Sequence, residues 1–455
     1  MIRIATLFTS LLLHSARSAA MVRAVRSLIA FCSLLLLAGM AQAQVAPLIV
    51  APPAPPASLA LPAPTPLETP VEALAADARE YARAYGVAPA EALRRLEAQE
   101  ASVTLIDRLA SDYGDRLAGV FIEHEPTYRI VIVVTGPPAS DMQIALAAFG
   151  VPVILRTGAV STRTDVLRAI EQNQAALRAA LPSPPGMGVD PHTGALMIVT
   201  RQGDLPSDGD RTSMESRLAA IAGVPVELRS WGELDTNLSV EGGGRVVGGD
   251  AEERHRFVCT SGFVVTDGVR TAISTAAHCP DNLTFVGPDG TRTALTIVGA
   301  WGARYQDVQI HSAGETLQPA FYADSETRAR LAATWRNRTS TRAGDFVCHR
   351  GQRTGYSCAV VRLVDYAPPG DLCAGPCPAT WVAVSGPRCK GGDSGGPVFL
   401  GSVAFGLVKG DSSENGTCRL YYYMSADYFP PGWTVMHVAP PTLTGAPPVA
   451  LDRAP

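Results

Sequence analysis

The distribution of cysteine constrains this chain more than any other feature of its sequence. Of nine cysteines, Cys32 lies in an apolar N-terminal run, and the other eight all fall between positions 259 and 418. None lies between positions 44 and 258. An even set of cysteines confined to one half of a chain predicts a disulfide-stapled domain, provided that the chain reaches an oxidising compartment. Cys373 and Cys377 have no further ligand at zinc-site spacing, so a disulfide is favoured over a metal site.

The N-terminus has the pattern of an export signal. Arg23 and Arg26 precede the apolar run SLIAFCSLLLLAGM, and the small-x-small pattern Ala41-Gln42-Ala43 follows it. The run of about 14 residues is shorter than the ~20 that a membrane-spanning helix needs, which disfavours the alternative of a transmembrane anchor. We therefore predict a signal peptide over residues 1–43, with Met21 as the alternative start, and a secreted or periplasmic protein.

Composition and periodicity divide the rest of the chain. A proline-rich stretch predicts an extended linker. Alternating helical and strand-like patterns then predict an α+β unit, arranged as a loose duplication. Short apolar runs separated by Gly, Pro, Asp and Asn predict an all-β domain after it. The predicted segments are the linker 44–70, the α+β unit 71–232, a glycine-rich junction 233–245, the all-β domain 246–433 and a flexible tail 434–455.

The run PRCKGGDSGGPVF, residues 387–399, places Ser394 among glycines, where it needs a base to become a nucleophile. It satisfies the G-x-S-x-G pattern of α/β-hydrolases, which requires a helix directly after the serine. Gly395, Gly396 and Pro397 oppose such a helix. In that fold the partners would be Asp411 or Asp427 with His437, but no βαβ pattern surrounds them. This alternative is disfavoured.

Other partners lie upstream, His278 in ISTAAHCP and Asp307 in ARYQDVQIH. The order His, Asp, Ser is that of the chymotrypsin triad. With VVGGDAEE, VCHRGQRTGYSC and AFGLVKG in the same order, residues 246–430 resemble chymotrypsin-fold serine endopeptidases, most closely the bacterial streptogrisin and α-lytic group. The 71–232 region more weakly resembles that group's pro-segment. The resemblance implies an α+β pro-region followed by a chymotrypsin-like double β-barrel.

The resemblance also implies roles for individual residues. Ser394 would attack a peptide carbonyl, His278 would act as general base and then acid, and Asp307 would orient the imidazole. The N–H groups of Gly392 and Ser394 would form the oxyanion hole. It implies no cofactor and no metal. The partners would be polypeptide substrates and the chain's own pro-region, which would assist folding and inhibit the enzyme.

Two further classes of partner are not expected. The net charge of -4 and the pI near 6.1 provide no basic field for nucleic acid. After removal of the signal, no membrane contact is expected either.

Eight cysteines allow 105 pairings, and the residues alone do not choose among them. The resemblance implies three of the disulfides, and proximity in sequence suggests the fourth. The expected pairs are Cys259–Cys279, Cys348–Cys358, Cys389–Cys418 and Cys373–Cys377.

Two positions depart from the pattern of the family. His349 stands where the group has an arginine that holds the buried aspartate before the nucleophile. We therefore expect Asp393 to pair with Arg350 or with protonated His349, since a buried unpaired carboxylate is costly. Lys409 stands where relatives have a serine. Its ammonium either points to solvent while its carbonyl receives the substrate, or shapes the specificity pocket, or contacts Asp307.

Substrate preference and activation are predicted in less detail. The expected pocket residues are Arg388, Lys409, Gly410 and Asp411, of which Arg388 would favour acidic side chains and Asp411 basic ones. By alignment with the family, Arg245–Val246 is the candidate processing bond. The main alternative function is a catalytically inactive binding protein that retains the fold.

Overall fold

The structure is a computed structural model that describes residues 66–137, 151–230, 244–249, 256–386, 388–414 and 416–438. The predicted signal peptide with Cys32, most of the linker, most of the junction and most of the tail lie outside the described residues. Among the residues that are described, no helix is both long enough and apolar enough to span a bilayer.

The first helical region consists of three helices, and residues with special backbone roles set their ends. Thr69 caps the first helix in a capping box with Glu72, and Gly86 ends it with a φ of 62°. Pro89 begins the second helix, at the first-turn position that tolerates proline. The helices of the described chain are α1 Pro70–Tyr85, α2 Pro89–Ala101, α3 Val103–Asp112, α4 Arg163–Ala179 and α5 Asp208–Ala222.

Six of the seven described strands of the N-terminal region, all but the first, form two three-stranded units with the same pairing pattern. In each unit the first two strands are antiparallel, and the second pairs in parallel with the third. The two units therefore repeat one arrangement of strand pairing. The strands are β1 Leu67–Glu68, β2 Leu117–Glu123, β3 Arg129–Thr135, β4 Val153–Ala159, β5 Gly186–Val189, β6 Leu196–Thr200 and β7 Val226–Ser230.

The C-terminal half is mostly β-structure. Its described strands are β8 Arg245–Gly249, β9 Arg256–Thr260, β10 Val264–Thr266, β11 Thr271–Thr275, β12 Leu283–Val286, β13 Arg292–Trp301, β14 Val308–Ser312, β15 Ala320–Tyr322, β16 Ala329–Leu331, β17 Thr334–Trp335, β18 Phe346–Gly351, β19 Gly355–Ala367, β20 Trp381–Ser385, β21 Pro397–Leu400, β22 Val403–Glu414, β23 Thr417–Ser425 and β24 Thr434–Val435. One eight-stranded sheet has the order β24-β10-β11-β14-β13-β12-β8-β9.

A second sheet contains a closed barrel. Its strands follow the order β18-β21-β22-β23-β20-β19, and β18 also pairs with β19, which closes a ring of six. Strand β5 of the N-terminal region pairs with β19, so the two regions share this sheet. A Cβ at Gly186 would lie 2.6 Å from the Tyr366 hydroxyl, so glycine is needed where the strands meet.

Buried ion pairs also join the N-terminal region to the β-rich half. The guanidinium of Arg330 is fully buried and pairs with Glu68 and Asp77 from the N-terminal region and with Asp324 from its own half. Tyr81 and Leu96 belong to the same apolar core as the barrel residues. The described parts of the two regions therefore fold as one packed body.

Two short strands lie where the sequence analysis expected extended or flexible chain. Strand β1, at the end of the predicted linker, pairs in parallel with β16. Strand β24, at the start of the predicted tail, pairs with β10. Both segments are too short to show a strand pattern in the sequence, and a neighbouring strand edge determines their conformation.

Candidate active site

The loop that carries Ser394 connects β20 to β21 and is attached to its surroundings through backbone contacts. The Thr260 N–H, at the end of β9, donates to the Ser394 carbonyl at 2.9 Å. Gly395 donates to the carbonyl of Val408 at 2.7 Å. Gly392 has a φ of 120°, a conformation that favours glycine because it has no Cβ. The loop therefore turns where the sequence places glycines.

The second part of the site is a histidine–aspartate pair. His278 lies in the turn after β11, and Asp307 directly precedes β14, which pairs with β11. The His278 Nδ1 is 2.8 Å from Asp307 Oδ2, and the His278 backbone N–H donates to Oδ1 at 3.2 Å. An ionised carboxylate only accepts, so Nδ1 carries the proton in this geometry and Nε2 is the basic nitrogen.

The serine loop packs against the turn that carries His278. A Cβ at Gly395 would lie 2.4 Å from the Thr260 carbonyl and 2.7 Å from the Ala276 nitrogen, two residues before His278. Lys409 contacts both sides of the site: its carbonyl is 3.4 Å from Ser394 Oγ, and its Nζ is 3.1 Å from Asp307 Oδ2. The structure therefore brings Ser394, His278 and Asp307 to one junction between the two sheets.

Asp307 is buried beside two basic side chains. Burial opposes its ionisation, but His278 and Lys409 outweigh this effect and hold the pKa of Asp307 well below its usual range. The carboxylate is therefore ionised throughout the physiological pH range. Only 2% of its side chain is exposed, against 16% for His278, so the histidine is the member of the pair that solvent reaches.

The prediction that Arg350 pairs with Asp393 is wrong. The Arg350 guanidinium instead donates to the Ala323 carbonyl and to Glu326. The His349 Nε2 is 4.0 Å from Asp393 Oδ2, and burial lowers the pKa of His349, which favours its neutral form despite Asp393. At this distance no hydrogen bond joins the two side chains.

The Asp393 carboxylate accepts four hydrogen bonds from neutral donors instead. The backbone N–H groups of Arg353 and Thr354 donate to Oδ1, and Lys390 N–H and the Thr354 hydroxyl donate to Oδ2. Sequence reasoning missed Thr354, although it lies in the quoted run VCHRGQRTGYSC. The only indication of this role in the sequence is a hydroxyl side chain in the hairpin turn between Cys348 and Cys358.

The four residues expected at the specificity pocket differ in exposure. Arg388 is exposed, whereas Lys409 and Asp411 are 2% and 3% exposed. The Asp411 Oδ2 accepts a hydrogen bond from Ser413 at 3.3 Å. A Cβ at Gly410 would lie 2.8 Å from the Tyr422 hydroxyl. Of the alternatives for Lys409, the structure shows the contact with Asp307, with the ammonium 5.0 Å from the ring of Trp381, a residue that sequence reasoning did not identify.

All eight cysteines of the β-rich half lie in disulfides. The pairs are the same as those expected, namely Cys259–Cys279, Cys348–Cys358, Cys373–Cys377 and Cys389–Cys418. The first holds the His278 turn against β9, and the last ties the serine loop to β23. Asp77 lies within metal-binding reach of Cys348 and Cys358, but their sulfurs are bonded to each other and offer no thiolate.

Two cavities lie outside the group formed by Ser394, His278 and Asp307. One of about 360 Å³ lies in the eight-stranded sheet and is lined by apolar residues that include Phe285 and Phe321. The other, of about 690 Å³, lies between the N-terminal region and the barrel and is lined by Arg229, Arg362 and others. Neither cavity is lined by Ser394, His278 or Asp307.

No protein-family model matches the sequence. Among solved structures, the chain is similar to Thermobifida fusca Protease A, with 21% identity, a TM-score of 0.34, and coverage of 44% of this chain and 99% of the other. It is also similar to Cellulomonas bogoriensis chymotrypsin, with 20% identity, a TM-score of 0.32, and coverage of 44% of this chain and 99% of the other. A Nocardiopsis protease has 20% identity, a TM-score of 0.31, and coverage of 41% of this chain and 92% of the other. Each likeness spans less than half of the chain at low identity, so it carries no conclusion about activity.

Proposed function

We propose that this chain is a serine endopeptidase that is exported by a bacterium as a precursor. Its catalytic domain would be a chymotrypsin-like double β-barrel over residues 246–433. The observation that carries the proposal is the ordered His278–Asp307 pair at the junction where the Ser394 loop packs. A histidine whose Nδ1 is held by a carboxylate presents a basic Nε2, which is what a serine hydroxyl needs for activation.

In the proposed reaction, Ser394 Oγ forms a bond to the substrate carbonyl carbon while His278 Nε2 takes the hydroxyl proton. The negative charge that develops on the carbonyl oxygen is stabilised by the N–H groups of Gly392 and Ser394. When the peptide C–N bond breaks, His278 gives its proton to the leaving amine. Water then attacks the resulting ester by the same proton transfers, which releases the acid and restores Ser394.

The N-terminal region would act as a pro-region. The pairing of β5 with β19 and the buried contacts of Arg330 with Glu68 and Asp77 support this role, because they stabilise the barrel with residues from the precursor. All-β domains fold slowly because most of their contacts are non-local, so a folding assistant has a physical reason.

The candidate bond Arg245–Val246 lies in β8, which pairs with both β9 and β12. Cleavage there would require β8 to leave the sheet.

The catalytic part of the proposal is tested by labelling with a fluorophosphonate probe. We expect the protein recovered from expression of the full chain to form a covalent adduct at Ser394. Ser394→Ala lacks the hydroxyl and should form no adduct, and in His278→Ala the rate should fall by a factor on the order of 10⁶. Ser402→Ala, a buried serine of the same barrel, is the matched control and should label normally. A folded protein that does not label would support the alternative of an inactive binding protein.

The pro-region is tested by expressing residues 246–455 alone beside the full chain. We expect the short chain to give little folded protein, and the addition of the N-terminal region as a separate chain to raise the yield. Full yield of labelled protein from residues 246–455 alone would contradict the role in folding. It would leave the catalytic proposal intact.

A further inference from the structure

Lys409 is unusual among the cations of this chain. The sequence contains two lysines, Lys390 and Lys409, against 36 arginines. Lys390 is exposed on the serine loop, whereas Lys409 is 2% exposed in β22. A buried ammonium requires a partner of opposite charge, and Asp307 supplies it at 3.1 Å.

The Asp307 carboxylate is shared between two basic groups. The Lys409 ammonium and His278 Nδ1 both contact the same oxygen, Oδ2, at 3.1 and 2.8 Å. Oδ1 accepts the backbone N–H of His278. When His278 takes up a proton, its positive charge therefore forms beside a carboxylate that is already neutralised by Lys409, and close to the ammonium itself.

Other titratable side chains lie on the elements that pack against Asp307 and Lys409, but they do not replace the charge of either residue. Trp381 of β20 presents an uncharged ring to the ammonium. Burial raises the pKa of Tyr421 and Tyr423 of β23 far above neutrality, so both are uncharged. The remaining groups on these elements are Asp411 and Glu414 of β22, Arg419 and Tyr422 of β23, Asp427 and Tyr428 of the turn that follows β23, and His311 of β14, the strand that follows Asp307. Glu414 and Arg419 pair with each other.

We propose, on the basis of the proposed function, that Lys409 is a positioning residue that shares Asp307 with His278 and so keeps the imidazole unprotonated at lower pH. Without Lys409, the whole negative charge of Asp307 would face the imidazolium and would stabilise it more strongly. With Lys409 in place, the protonated state is less favourable. The enzyme would therefore retain activity further into the acidic range.

The test is the pH dependence of the second-order rate of fluorophosphonate labelling, which follows the unprotonated fraction of the base. In Lys409→Met we expect the midpoint of the acid limb to rise by about one pH unit, because an opposing charge within hydrogen-bonding distance of the shared carboxylate is removed. Lys409→Ser removes the charge but retains a hydroxyl, and it serves as a second variant if methionine prevents folding. Lys409→Arg retains a cation and should keep the native midpoint.

Lys390→Met is the matched control, because it removes the other lysine and changes net charge by the same amount. Its midpoint should equal that of the native protein. The proposal is overturned by a folded, labelled Lys409→Met or Lys409→Ser variant whose midpoint is unchanged, or by an equal shift in Lys390→Met or Lys409→Arg. Failure of the native protein to label would overturn the peptidase assignment instead, so the two failures are distinguishable.

Discussion

On the histidine side of the site the Asp307 carboxylate contacts two basic side chains, His278 and Lys409, whereas on the serine side the Asp393 carboxylate contacts donors that carry no charge. Both carboxylates are 2% exposed, so both need partners. The partners of Asp307 can exchange protons or carry charge. Those of Asp393 are three backbone N–H groups and a hydroxyl, which are donors that carry no charge and do not titrate.

The different partners indicate that the two carboxylates have different roles in the site. A carboxylate that must respond to a proton on its neighbour has to be coupled to a titratable group, as Asp307 is. A carboxylate that only fixes a loop is better held by donors that do not titrate. We therefore expect changes at Asp307 to alter rate and pH dependence, and changes around Asp393 to alter stability.

The largest effect is expected for Asp307→Asn. The amide would no longer hold His278 in the tautomer that leaves Nε2 basic, so the rate of labelling should fall by about 10⁴. The same change leaves Lys409 without its carboxylate partner, and breaking a buried pair costs about 3–5 kcal/mol of stability. Labelling rates and chemical unfolding of the variant measure the two effects.

The double variant Asp307→Asn with Lys409→Met separates these effects. It removes the unpaired ammonium, so stability should return towards the native value while labelling remains slow. Recovery of the labelling rate in the double variant would mean that the lost activity of Asp307→Asn came from misfolding. The two carboxylates would then not differ in the way proposed.

A smaller effect is expected on the serine side. Thr354→Val removes the hydroxyl that donates to Asp393 Oδ2 at 2.6 Å while preserving shape. Loss of a hydrogen bond to a carboxylate should cost about 1.5–3 kcal/mol of unfolding free energy, and labelling of Ser394 should persist. Thr434→Val, on an exposed strand position, is the control and should change little. Equal losses in the two variants would show that Thr354 does not support Asp393.

The smallest effect concerns His349 and pH. Burial lowers the pKa of His349, so the folded protein keeps it neutral while the unfolded chain takes up a proton below about pH 6.5. The unfolded state then binds more protons, and stability falls as the pH decreases, by at most about 1.4 kcal/mol per pH unit for one group. In His349→Phe this contribution disappears, so unfolding free energies at pH 7 and pH 5 should differ less than in the native protein. Identical pH dependence would mean that folding does not change the pKa of His349, and a larger difference in the variant would mean that His349 is charged beside Asp393 in the folded protein.

Much of the secondary structure could be predicted because its causes are local. The helix at Arg163–Ala179 and the strands on either side of Glu125-Pro126 follow from periodicity and turn residues. The partners of Asp393 could not be predicted in this way. Adjacent residues of a strand point to opposite faces, so His349 and Arg350 of β18 cannot both face Asp393. The Arg350 guanidinium instead donates to Glu326.

The amino-acid sequence by itself determined which chemical groups are present and their order, His278, Asp307 and Ser394, together with the glycines at which the serine loop turns. Only the tertiary structure decided which groups meet. A register irregularity in β22 between Val408 and Gly410 accompanies the inward direction of Lys409, and the pairing of β11 with β14 brings Asp307 to His278. Contacts between distant segments depend on strand register and burial, which are properties of the whole sheet, whereas turns and caps depend on neighbours along the chain.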